Sequence, residues 1–429
     1  MLSLFGLDNG NSSLIIALIV LVAIASFIHY RKSFTFFSVV IVYYILGLIG
    51  SIAFYNIIKT NFMEIYPKYV NVDPLLYYVV TSVILAYPFV FLKAKFTAVE
   101  DWGFSKYFQY IAALMAVLSI APFLECIPKL FSLSADSLVN AYEGNGGGDN
   151  VISHYCKQMK NYIQFFNVPL LFYFLSKGSK FRKCTYCCLF AFVCSLLQSL
   201  VGGSRGTMVN NFNYLVVLYL IYRNVLDKIT LRQFHKYVFV FLAILLSALV
   251  AITMARFGGP SAKKNALSTS ITMYLGQGPV EFSRGMWDSK VRTEGDNSFS
   301  FVKIATGHHS FKDNDERRLY WEKKQYIPNF IFYSLVGDVY SDLGREYTVL
   351  FCLAMSIFMS MLFKKIARSS SISVASTIII SFYYEWITMG IMSNCYKIYH
   401  LQFFIFVTLL CIGFMKFLHE FRLTSIPNR

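Results

Sequence analysis

Long runs of apolar residues alternate along this chain with short polar breaks. The runs are about 17–22 residues, the length a helix needs to cross ~30 Å of hydrocarbon at 1.5 Å per residue. They do not alternate apolar and polar positions as membrane-barrel strands would. Lipid cannot solvate bare backbone, so each run is expected to be a helix. The pattern predicts spans at 12–30, 34–55, 75–92, 108–124, 161–176, 184–201, 207–222, 237–254, 346–363, 372–392 and 401–418. The expected fold is an all-α polytopic integral membrane protein with about eleven (10–12) transmembrane helices.

Composition agrees: of 429 residues, 56% are hydrophobic and 14% charged, against roughly 25% charged in soluble domains. The first span has no basic residue before it and Arg31-Lys32 directly after it. It therefore reads as a membrane span, not a cleavable signal, with its N-terminus outside. Alternation from there puts 19 basic residues in the cytoplasmic segments and seven in the short external ones. The other 13 lie in 255–345, a long external region that charge bias governs poorly. The topology expected is N-out, C-in. The net charge of +16 reflects this bias and the long loop, and calls for no nucleic acid. Three parts follow: spans one to eight over 1–254 with an external loop at 125–160, the long loop region 255–345, and spans nine to eleven with a cytoplasmic tail over 346–429.

Candidate chemistry gathers outside. No Walker motif is present and no cytoplasmic loop exceeds about 15 residues. An enzyme of this shape would draw on an activated substrate and need no cofactor; a carrier would draw on an ion gradient. The nine cysteines lack metal-ligand spacing, and no metal is expected. Cys126 and Cys156 share an external loop and could pair in an oxidising compartment. That loop also holds the flexible stretch 144–149, with four glycines. In 255–345, Asp313 followed by Glu316 resembles a capping box ahead of a charged, interfacial helix over 317–326.

The turn Gly202-Gly203-Ser204-Arg205-Gly206-Thr207 joins the sixth and seventh spans. Its backbone amides can form an anion nest, with the Arg205 guanidinium beside it; equally, it can be a tight turn with a snorkelling arginine. Glu385 lies about seven residues, or ~10 Å, inside the outer end of the tenth span. A carboxylate there is costly. It can pair with an arginine, act as a base or carry a proton. Tyr43-Tyr44, Tyr77-Tyr78 and Tyr383-Tyr384 sit near span ends and read as interface anchors, with a few available to stack on sugar rings.

"GGSRGTM" between two spans, a large late external loop and "GDVYSDLG" (337–344) together resemble the O-antigen and capsule repeat-unit polymerases, the Wzy-type family. Some members of that family carry an arginine, ten residues, then glycine in a periplasmic loop, and Arg284 to Gly295 has that spacing. The related O-antigen ligases share the Ser-Arg-Gly turn. Their pattern of His then Asn, Ser or Gln, nine residues, then Gly opens here at His309-Ser310 and fails at Tyr320.

The resemblance implies a GT-C-like inverting glycosyltransferase of the bacterial inner membrane. It would move a growing glycan from undecaprenyl diphosphate to a hydroxyl of the next lipid-linked repeat. Lipid-linked oligosaccharide would be its substrate and a chain-length regulator its possible partner. Arg205 and Arg284, with Gly203, Ser204 and Gly206, are the diphosphate-binding candidates. Glu281, His308, His309, Asp338 and Glu385 are the candidates for general base. An O-antigen ligase, and a polysaccharide-lipid flippase or other secondary transporter, are the alternatives. The absence of a visible internal repeat and the scarcity of charges inside spans weigh against a transporter.

Overall fold

The computed structural model describes residues 9–425 except 33–34, 62–69, 94, 132–149, 203, most of 238–265, 310, 312 and 328–330. It is mostly helical. In chain order the helices are α1 (Asn9–Lys32), α2 (Phe36–Asn61), α3 (Val72–Ala86, continued by a 3-10 turn, Tyr87–Phe91), α4 (Ser105–Phe131), α5 (Val151–Asn161), α6 (Gln164–Ser176), α7 (Arg182–Val201) and α8 (Arg205–Tyr222). They continue as α9 (Ala266–Glu281), α10 (Ser300–Ala305), α11 (Asn314–Gln325), α12 (Ser334–Leu343), α13 (Arg345–Ala367), α14 (Val374–Met389) and α15 (Tyr399–Ser425).

Among the described residues, seven helices are long and apolar enough to cross a membrane: α1, α2, α3 with its 3-10 turn, α4, α7 with the turn before it, α13 and α15. Helix α6 is apolar but has only 13 residues, and α14 has 16. The expected span at 237–254 lies almost wholly outside the described residues. One small strand pair departs from an all-α fold. Strands β1 (Ala98–Glu100) and β2 (Ser371–Ser373) run parallel, with Val99 opposite Ile372.

The chain forms two compact units. The second comprises 94–267, 369–382 and 404–429. In it, Lys160 of α5 is buried and donates to Ser195 Oγ at 2.8 Å and to the Ala191 carbonyl at 3.1 Å, both on α7. Helix α5 begins within the expected external loop 125–160 and is capped by Asn150, whose Oδ1 accepts from Ile152 N. The glycine-rich tip at 144–149 lies outside the described residues. Cys126 and Cys156 do not pair; both are free thiols, and Cys126 is buried in α4.

The first unit comprises 1–93, 268–368 and 383–403. Most of the expected long loop belongs to it as short helices packed on the spanning ones. Glycines permit that packing. A Cβ on Gly276 of α9 would stand 2.2 Å from the backbone of Gly50 in α2, and one on Gly278 would stand 2.2 Å from the Ile391 carbonyl. Ser51 Oγ of α2 then donates to the Gly276 carbonyl at 2.9 Å. The tyrosines expected at the membrane interface partly serve this core instead. Tyr44, Tyr78 and Tyr384 are fully buried. Tyr44 Oη donates to the Ile387 carbonyl at 2.9 Å and Tyr383 Oη to the Leu85 carbonyl at 2.6 Å. A buried phenol needs a partner, and the last turns of α3 and α14 offer carbonyls.

Replacing Gly276 with leucine should destabilise the protein by at least ~3 kcal/mol, since backbone cannot yield as a side chain can. Gly413→Ala, with nothing within 4 Å of the added carbon, should be neutral or slightly stabilising. Thermal unfolding in detergent compares the two; equal midpoints would refute the close contact.

Candidate functional site

Helix α9 ends at Glu281 and continues as one π-type turn, Phe282–Met286. Such turns are frequent at functional sites. This one places Arg284 Nε 3.4 Å from Glu281 Oε2, with both side chains buried. Burial pushes Glu281 up to about 7, against the opposing pull of Arg284.

Helix α11 starts where the capping pattern places it. Asp313 Oδ1 accepts from Asp315 N at 2.6 Å and Glu316 N at 3.1 Å. One of its faces is packed inside, which corrects the expectation of an interfacial helix. Arg317, Trp321 and Gln325, four residues apart, are buried. They can be buried because polar partners meet them. Arg317 Nη1 donates to Asn297 Oδ1 and Nη2 to Asn314 Oδ1, the latter at 2.6 Å. Trp321 Nε1 donates to Asp296 Oδ2 at 3.1 Å, and Gln325 Nε2 to the Val291 carbonyl at 3.0 Å. Lys303 Nζ, 2.8 Å from Asp296 Oδ1, completes the neutralisation of that carboxylate.

Helix α12 carries the GDVYSDLG segment. Asp338, Ser341 and Asp342 fall three and four residues apart and share one face. Asp342 Oδ1 accepts from Thr293 Oγ1, from Gly295 N at 3.0 Å and from Asn297 N at 3.2 Å. Burial pushes the Asp342 carboxyl up to about 6, partly offset by the Thr293 hydroxyl. Ser341 Oγ accepts from Asn297 Nδ2 at 2.6 Å. Asp338 Oδ2 accepts from Asn394 N at 2.7 Å and lies 3.7 Å from Lys397 Nζ. Burial holds Lys397 down to about 8, with Asp338 drawing it the other way.

These side chains enclose a small cavity lined by Asn297, Arg317, Arg318, Trp321, Tyr333, Asp338 and Lys397, together with Ile331. Three cations and one carboxylate line it, and Arg318 Nη1 also lies 3.5 Å from Asp315 Oδ1. About 10 Å³ of it admits a water-sized body, room for one water or one oxygen of a larger group. Among the described residues, no three His, Cys, Asp or Glu side chains gather as a metal site.

No family model, curated protein or solved structure matches this chain. The site is therefore read from its own residues. Of the residues singled out from sequence, Asp338 lines the cavity. Glu281 and Arg284 form their own buried pair. Glu385 is buried and accepts from Tyr396 Oη at 2.5 Å. His308 and His309 are exposed; His308 Nδ1 lies 3.1 Å from Thr306 Oγ1, and His309 packs edge-on to Phe311. Ser204 and Gly206 flank the start of α8, where Ser204 Oγ meets Thr207 Oγ1 at 2.8 Å. Gly203 and the side chain of Arg205 lie outside the described residues.

Sequence reading missed Asp296, Asn297, Arg317, Arg318, Asp342 and Lys397. A usable signal existed for two of them. Asp342 is one turn from Asp338 in the same segment, and Lys397 is a lone cation in a short link between apolar runs.

Two outcomes are expected. Asp342→Ala strips the acceptor from two backbone amides and a hydroxyl, and should cost roughly 3 kcal/mol; Asp342→Asn keeps an oxygen there and should cost less. Chemical denaturation of the inserted protein distinguishes them, and equal losses would refute the assignment. Lys397 is mostly charged at pH 7 and discharges as pH rises through about 8. Pyrophosphate affinity, measured by calorimetry, should therefore fall between pH 7 and 9, and Lys397→Arg, which stays charged, should abolish that fall.

Proposed function

We propose that this chain is a Wzy-type repeat-unit polymerase, an inverting glycosyltransferase acting on undecaprenyl-diphosphate-linked glycans at the outer face of a bacterial inner membrane. The observation that carries the reading is the cation-lined cavity built against the GDVYSDLG helix. The resemblance rested partly on that same segment.

The proposed topology has eleven spans, N-out and C-in, on a GT-C-like plan. Contacts within each unit support it. In the second unit, the basic segments expected inside meet one another: β1 pairs with β2, Lys177 Nζ donates to the Val99 carbonyl at 3.3 Å, and Trp102 stacks on His419. In the first, segments expected outside meet: Asn71 N donates to Ser283 Oγ at 3.0 Å, and Tyr77 Oη to the Arg345 carbonyl at 2.7 Å.

In the proposed reaction, an acceptor sugar hydroxyl attacks the anomeric carbon, and the bond from that carbon to the diphosphate breaks. Arg317, Arg318 and Lys397 receive the charge that develops on the leaving diphosphate. Asp338, beside them, takes the hydroxyl proton. The phosphate role thus moves from Arg205 and Arg284 to these three cations. A whole phosphate enters only when the less enclosed side chains of Arg318 and Lys397 swing outward; they are 25% and 13% exposed, against 5% for the whole of Arg317. The exposure of His309 and the failed glycine at Tyr320 weigh against the ligase reading.

A strain carrying Lys397→Ala or Arg318→Ala should lose the surface-glycan ladder, at least 100-fold in polymer, while single repeats still reach the lipid core. Size-resolved gels with matched protein levels read the result. A full ladder in both strains would refute the diphosphate assignment, and polymer accumulating unattached would instead indicate a ligase.

A further inference from the structure

Helix α3 tightens into a 3-10 turn at Tyr87–Phe91, where Pro88 enters at the first turn. Proline supplies no amide to continue the helical ladder, and the chain there narrows. Opposite it, α13 presents Ser356, Ser360 and Lys364, four residues apart and so in one row. Two small side chains in that row leave a groove of about 430 Å³ between the helices.

Its walls are apolar. Val83 and Ile84 line one side and Ile357 and Met361 the other. Ile357 and Met361 are each 60% exposed, on helices long and apolar enough to cross a membrane, so the groove opens toward lipid. Its polar end is Lys364, whose ammonium lies 4.4 Å from the centre of the Phe91 ring. No acidic residue is among the lining residues. A groove with this charge pattern accepts a hydrocarbon chain ending in an anion.

We propose that the groove is a binding site for an anionic phospholipid of the bilayer, with an acyl chain lying along Ser356 and Ser360 and the phosphate on Lys364. Position distinguishes this lipid from a glycan-carrying substrate. Lys364 is 19 residues along α13 from Arg345, ~28 Å at helical rise, while the cation-lined cavity belongs with the segments around the Arg345 end. The headgroup bound at Lys364 therefore sits in the opposite leaflet.

The test uses the full chain in phosphatidylcholine nanodiscs doped with phosphatidylglycerol, with native mass spectrometry counting the retained anionic lipid. Lys364→Gln should lower retention about fivefold, the effect of one lysine near an anionic headgroup. Ser360→Leu should lower it similarly by filling the groove. Lys365→Gln, on the neighbouring face, should leave it unchanged. Undiminished retention in Lys364→Gln or in Ser360→Leu would overturn the site. So would an equal loss in Lys365→Gln, which would mean diffuse charge attraction rather than a seat. Gel filtration confirms that each variant is folded.

Discussion

A carboxylate taken out of water must find donors or give up its charge, and Asp342 is such a group. Its Oδ1 gathers the Thr293 hydroxyl and the amides of Gly295 and Asn297, which fixes the loop 293–297 against α12. Asn297, so fixed, presents its Oδ1 to Arg317 and its Nδ2 to Ser341. Arg317 can then be buried, and with it the face of α11 that carries Trp321. Asp296, adjacent in the same loop, is neutralised by Lys303 and accepts a hydrogen bond from Trp321. The cavity is what remains when these demands are met, and its lining of cationic side chains follows from which groups met them.

The same helix reaches the other wall through Asp338, held by the Asn394 amide and facing Lys397. That wall is secured by backbone as well as by charge. Ser334 N donates to the Met392 carbonyl at 2.8 Å and Leu335 N to the Gly390 carbonyl at 2.7 Å. Ser334 holds a left-handed conformation, φ 69°, which a non-glycine residue adopts only where its surroundings over-determine it. Nearby, Gly278 lets α9 approach the Ile391 carbonyl. Close backbone contact replaces side-chain packing at the point where a region expected to be a loop meets the spanning helices.

Beside the cluster, aromatic rings take up cations that have no ion-pair partner among the described residues. Arg345 lies 4.7 Å over Trp287 and Arg292 lies 4.9 Å over Tyr340, while Trp287 and Tyr340 stack on each other at 5.5 Å. Ring faces attract cations without requiring a buried anion. This is how a region rich in arginine and lysine packs without assembling a salt bridge for each charge.

The sequence by itself determined the membrane class and most helix positions, because the requirement that lipid-embedded backbone bond to itself acts on local runs of apolar residues. Ten of the eleven expected spans coincide with described helices, though seven of these helices meet the length and hydropathy a crossing needs. It also determined the cap at Asp313, which depends on neighbours two and three residues away. Only the tertiary structure decided the site. Lys397 and Asp338 are 59 positions apart, and Asn297 and Arg317 are 20 apart; nothing periodic links them. Glu281 and Arg284 were legible as charged residues, but their sequestration as a pair depends on a π-type turn that has no sequence signature. Polar residues in a region expected to be solvated carry no mark of burial, since burial is set by which distant partners arrive to satisfy them.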